Sequence, residues 1–105
     1  MSATRRVVRV TSDFFRDLDQ ALPDERGPEG QASAIDFQAY ELLRIVEHFA
    51  VSFDDLPELF PGRSDYRFLV AAGMLVPRFS VVGRLAVDGA VELVQLEFDL
   101  DAGWD

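Results

Sequence analysis

The sequence predicts an α+β fold of order β-α-α-β-β-β, an antiparallel meander sheet with two helices packed on one face. Three observations carry that expectation. Apolar residues alternate through YRFLVA (66–71), MLVPRFSVVGRLAV (74–87) and AVELVQLEFDLD (90–101), which is the period of strands. Asp88-Gly89 separates two of these runs, and Asp-Gly there is a strong hairpin signal, because a type I′ turn needs positive φ at both central positions. Ahead of the meander, residues 13–22 and 34–50 repeat apolar side chains at the spacing of a helix face.

The first element is a short strand within residues 5–11, where valines dominate and the arginines suit a sheet edge. Thr11 or Ser12 is the expected N-cap of a helix over 13–22, with Asp13 at its positive end and Pro23 as its stop. Phe14, Phe15, Leu18, Ala21 and Leu22 supply its apolar stripe. Residues 23–33 carry two prolines, two glycines and three acids, the composition of a flexible connector. Ser33 and Asp36 then resemble a capping box for a longer helix to about Ala50, seamed by Ile35, Ala39, Leu42, Val46 and Phe49. Phe37, Tyr40, Leu43 and Ile45 widen its apolar arc beyond what one sheet face needs. Pro57 and Pro61 limit residues 51–65 to a turn of helix and a loop, pinned to the core by Phe53, Leu56 and Phe60.

A two-residue turn at Asp88-Gly89 sets a register: Val87 opposite Ala90, Val81 opposite Leu96, Phe79 opposite Phe98 and Arg78 opposite Asp99. Tyr66, Phe68, Val70, Leu75, Phe79, Val81, Val94, Leu96, Phe98 and Leu100 are then expected to face the helices. Leu69, Val76, Val82, Ala86, Val91 and Leu93 are expected on the outer face, edged by Arg67, Arg78 and Arg84. A contiguous apolar set on an open face marks an interface, so these residues form the expected docking surface for a partner protein or a second copy, with cover by the chain's own tail as the alternative. Pro77 cannot donate a ladder hydrogen bond, and a bulge or an early strand end is expected beside it.

At 105 residues the chain is read as one domain, 1–105, with a short tail at 102–105. It has no cysteine, which excludes disulfides, thiolate metal sites and a cysteine nucleophile. No long apolar run or basic-then-apolar leader is present, so a cytoplasmic protein without a membrane partner is expected. The net charge of −9 argues against nucleic acid as the partner, although Arg5, Arg6, Arg9 and Arg16 make the amino end locally basic. All ten basic residues are arginine.

No residue set composes a catalytic centre, and neither a cofactor nor a metal is expected. His48 is the only histidine and suits the cationic end of a helix. Asp54, Asp55 and Glu58 lack the spacing and the glycine of a calcium loop and read as acids at a helix start. Glu97, Asp99 and Asp101 alternate along one strand face, where pairing with Arg78 and solvent accounts for them. Gly83, Gly89 and Gly103 do not form a phosphate loop. Trp104, in the tail, is expected to fold onto the body or to meet something else.

The order of elements resembles the RelE/ParE toxin superfamily. DFFRDLDQALP (13–23) is similar to the first-helix pattern of those toxins, and residues 66–99 are similar to their closing strands. The resemblance implies a toxin–antitoxin component. Ribonuclease members carry sheet cations and a His, Arg or Tyr near the C-terminus. Here that end reads EFDLDAGWD, and Arg67, Arg78 and Arg84 are the only aligned cations. A non-cleaving relative acting by protein contact is therefore expected, nearer the gyrase-directed ParE branch. An endoribonuclease using those arginines is the enzymatic alternative, and an acidic inhibitor or immunity protein for a basic partner is the third.

Overall fold

The computed structural model describes residues 5–22, 33–72 and 78–99. Most of the expected connector, together with Leu75, Val76, Pro77, Leu100, Asp101 and Trp104, lies outside them. The chain begins with strand β1 (Val8–Val10) and helix α1 (Ser12–Ala21). Thr11 joins the two: its side chain accepts a hydrogen bond from the Phe14 amide as N-cap and donates to the Leu93 carbonyl at 2.7 Å. One hydroxyl thus starts the helix and ties that start to the sheet.

The expected second helix is two helices, α2 (Ala34–Tyr40) and α3 (Leu42–Ser52), broken at Glu41, whose side chain is buried. The Ser33–Asp36 capping box opens α2 as the sequence indicates. A 3₁₀ turn (Phe53–Asp55) follows, and then a strand that the sequence did not indicate, β2 (Glu58–Phe60). The meander comprises β3 (Arg63–Ala71), β4 (Arg78–Leu85) and β5 (Val91–Asp99). The sheet order is β1-β5-β4-β3-β2, antiparallel except for the parallel pairing of β1 with β5. The fold is α+β, as expected. The sheet is mixed, and the meander forms its centre.

The hairpin between β4 and β5 differs from expectation in two places that cancel. Ala86 and Ala90 close the loop by the Ala86 amide donating to the Ala90 carbonyl at 2.8 Å, leaving three residues, Val87 to Gly89, at the tip. Among the described residues only glycines have positive φ, Gly89 at 90° among them, so Asp88 does not make the type I′ turn. Val87 therefore projects into solvent instead of facing Ala90. Further along, Val82 lies opposite Gln95 but Gly83 lies opposite Leu93, which leaves Val94 as the extra residue of a bulge. The bulge absorbs the one-residue offset of the turn. Val81–Leu96, Phe79–Phe98 and Arg78–Asp99 consequently pair as the sequence indicates.

The bulge also decides which side chains reach the core. It shifts the alternation of β5 by one, so Val91 and Leu93 join Leu96 and Phe98 on the helix side, and Val91 and Leu93 are fully buried. In β3, Leu69 pairs with Val81 and Ala71 with Phe79, which puts Leu69 and Ala71 toward the core and Tyr66, Phe68 and Val70 on the opposite face. The core is completed by Phe14, Leu18, Phe37, Ile45, Phe49 and Phe53 from the helical layer. Gly83 is the point of closest approach, since a Cβ there would lie 2.5 Å from the Phe49 ring.

Past Leu93, β1 has ended and the edge of β5 is taken over by α1. The Asp17 carboxylate accepts from the Leu96 amide at 3.0 Å, substituting for a strand neighbour.

Candidate functional site

With the described helices on one face of the sheet, the other face carries side chains in rows across the strands. Tyr66, Arg84, Glu92 and Arg9 stand side by side on β3, β4, β5 and β1. The next row is Phe68, Val82 and Gln95, and the one after it Val70, Ser80 and Glu97. Phe60 of β2 extends the apolar part, its ring edge-on to Tyr66 with centroids 5.5 Å apart. Phe60 is 48% exposed and Val70 54%, while Val82 sits low between its neighbours. The apolar side chains thus lie together on β2, β3 and β4.

Charged pairs bound this strip at the hairpin end. Arg84 donates to Glu92, and Arg9 reaches Glu92 at 3.6 Å while donating to both Asp88 oxygens at 2.9 and 3.1 Å. Arg63 forms a two-point pair with Asp65 at 2.9 and 3.0 Å, and its guanidinium lies 5.3 Å from the centre of the Tyr66 ring. Hydrogen bonds from the Arg9 guanidinium and the Ala90 amide hold the Asp88 carboxyl down at about 2. Arg84 lowers Glu92 in the same way, and Arg63 lowers Asp65. The guanidinium of Arg84 is raised by its bonds to Glu92 and Tyr66. A depression of about 560 Å³ lies among these groups, but its three arginines and three acids alternate and balance in charge.

The expected docking residues divide. Val82 and Arg84 are on the face opposite the described helices, and Arg78 shares the alternation that puts them there. Leu69, Val91 and Leu93 are on the helix side, for the reasons of register given above, and Val76 lies outside the described residues. Arg67 also points to the helix side. It donates to the carbonyls of Leu56 at 2.8 Å, Ser64 at 2.9 Å and Asp54 at 3.3 Å, with the Phe53 ring 5.8 Å away. Its guanidinium anchors the segment between the 3₁₀ turn and β2. The residues that replace the lost ones, Phe60, Tyr66, Phe68 and Val70, had been assigned to the core. Residues 66–71 carry apolar side chains on both alternations, and the larger set, Tyr66, Phe68 and Val70, together with the charge of Arg67 on the other, favours the wrong face for the core.

The other candidates have local partners or open surroundings. Asp54 pairs with Arg6 at 3.2 Å, and Glu58 accepts from the Gly62 amide at 3.2 Å. His48 is exposed on α3. No group of three or more His, Cys, Asp or Glu among the described residues is arranged to hold a metal. Glu97 faces Ser80 across the ladder, and Asp99 is opposite Arg78. The basic amino end is neutralised by pairs of Arg5 with Glu47, Arg6 with Asp54, Arg9 with Asp88 and Arg16 with Asp13. No described helix is long and apolar enough to cross a membrane. No protein-family model matches the chain, and neither the curated proteins nor the solved structures contain a significant match to it.

Proposed function

We propose that this chain is a non-catalytic protein-binding domain that docks a partner protein on the face of the sheet opposite the helices. One observation carries this: Phe60 and Val70 are about half exposed beside Tyr66, Phe68 and Val82, an apolar strip with paired charges at its rim. Interfaces have that anatomy, with aromatic anchors at the centre and polar groups that fix orientation at the edge. The resemblance of residues 13–23 and 66–99 to RelE/ParE toxins would make the partner an antitoxin-type helix, in the cytoplasm. An endoribonuclease gains little from the sheet arginines, because Arg67 is spent on three backbone carbonyls and Arg84 on Glu92.

The test is site-specific photo-crosslinking in cells of origin, with the reactive group at Val70 and, for comparison, at the exposed Leu43 of α3. A discrete protein adduct from position 70 that is absent from position 43, and is lost when Phe60→Asp is added, is the expected result. Mass spectrometry then distinguishes a partner from a second copy. No adduct from position 70, or the same adducts from both positions, would overturn the proposal.

A further inference from the structure

A second feature lies at the opposite edge of the sheet. Strand β1 contributes three ladder residues to β5, in the one parallel pairing among the described strands. Its apolar hold is slight: Val8 and Val10 are half-buried, and Val7 is 67% exposed. Helix α1, by contrast, buries Phe14 and Leu18 completely. What fastens the strand is charge. Arg5 grips both oxygens of Glu47 on α3, Arg6 reaches Asp54 in the 3₁₀ turn, and Arg9 holds Asp88 at the hairpin tip and Glu92 on β5. These side chains lie at the surface, where ions screen them.

The other end of the strand is fixed differently. Thr11 is held by its hydroxyl on the Leu93 carbonyl and by its place as N-cap of α1. Motion is therefore confined to residues 5–10. Such motion breaks the parallel ladder of Val8–Val10 with Val91–Leu93 and, beyond it, the bonds from the Val91 amide to the Val7 carbonyl, 2.8 Å, and from the Arg6 amide to the Ala50 carbonyl, 2.9 Å.

We propose that β1 is a charge-latched strap, hinged at Thr11, which lifts from the edge of β5 when its arginine pairs are screened or removed. Lifting uncovers the backbone edge of β5 at Val91–Leu93. The neighbouring stretch of that edge stays closed, because Asp17 on the well-packed α1 holds the Leu96 amide. This device is independent of the docking face proposed above.

Residue-resolved amide hydrogen exchange on the full chain tests it, comparing Val91 with Leu96. Between about 50 mM and about 1 M NaCl, the Val91 amide is expected to exchange at least about fivefold faster and Leu96 to change by less than about twofold. Arg5→Glu at low salt is expected to speed Val91 by about tenfold, and adding Glu47→Arg to return it near the starting rate. Arg9→Gln serves as a second, milder variant, with retained Leu96 protection certifying that each protein is folded. Equal responses of Val91 and Leu96, or a Val91 rate unmoved by both Arg5→Glu and Arg9→Gln, would overturn the strap. Failure of the charge swap to restore Val91 would do the same.

Discussion

The two faces of the sheet both carry phenylalanine, and they use it in opposite ways. On the helix side, Phe37 is wedged edge-on between Phe79 and Phe98, with centroids 5.4 and 5.1 Å away, and Phe49 rests on Gly83. Phe14, Phe37, Phe49 and Phe53 are at most 2% exposed. On the other side, Phe60 and Tyr66 also meet edge to face, but Phe60 is about half exposed on the edge strand β2 and Tyr66 only half-buried on β3 beside it. The geometry of a ring pair therefore does not tell a structural contact from an available one. What tells them apart among the described residues is the second layer: rings enclosed by helix and sheet hold the fold, whereas Phe60 has no described helix over it and is the ring that the proposed docking would use.

The most severe test of that contrast is Phe49→Ala. Removing a fully enclosed ring is expected to cost about 3–5 kcal/mol in urea unfolding. Gly83→Ala attacks the same contact from the sheet, where the new methyl would sit 2.5 Å from the ring, and is expected to cost about 1–3 kcal/mol. Because one contact is shared, Gly83→Ala placed on Phe49→Ala should cost less than it does alone. Strict additivity of the two would show that the glycine is not there to admit the ring.

The same contrast explains what could be read from the sequence. Local chemistry was legible: the Thr11 cap, the Ser33–Asp36 box and the place of the hairpin follow from a few adjacent residues, whereas the register of Val81 with Leu96 agrees only because the bulge at Val94 offsets a turn one residue longer than expected. The faces were not, because they depend on parity summed over distance. One bulge at Val94 inverts Val91 and Leu93, and in 66–71 the phase with Leu69 and Ala71 that packs on the core also carries Arg67, whose charge alone would indicate the outer face. Arg67 was invisible as an anchor for a related reason: its partners are the carbonyls of Asp54, Leu56 and Ser64, which have no side-chain signature. Strand β2 was hidden between Pro57 and Pro61, in a segment read as a loop.

A gentler perturbation is acid. The carboxyl of Asp88 has a folded-state value of about 2 against an ordinary 3.8, because Arg9 and the Ala90 amide favour its charged form. A carboxyl depressed on folding contributes stability that is fully present above the unfolded value and is lost as pH falls through the folded one. Between pH 3.8 and about 2, the wild-type urea midpoint should thus fall more steeply than that of Asp88→Asn, which lacks the titration. Parallel curves would mean that the Arg9–Asp88 pair is not coupled to folding.

The smallest effect on stability is expected where the largest effect on binding is. Phe60→Ser and Val70→Thr remove apolar surface that the fold leaves in water, and Val70→Thr keeps the branching that strands favour. Val70→Thr should change unfolding stability by no more than about 0.5 kcal/mol and Phe60→Ser, which also gives up the ring contact with Tyr66, by no more than about 1.5 kcal/mol, with far-ultraviolet circular dichroism unchanged. Phe60→Ser is expected to weaken the proposed docking by about tenfold or more and Val70→Thr by less, because an exposed aromatic anchor contributes most when a partner buries it. A loss of several kcal/mol on unfolding from either change would instead mean that this strip is covered in the folded chain. The two faces would then be two halves of one interior, and the contrast between enclosed and available rings would not hold.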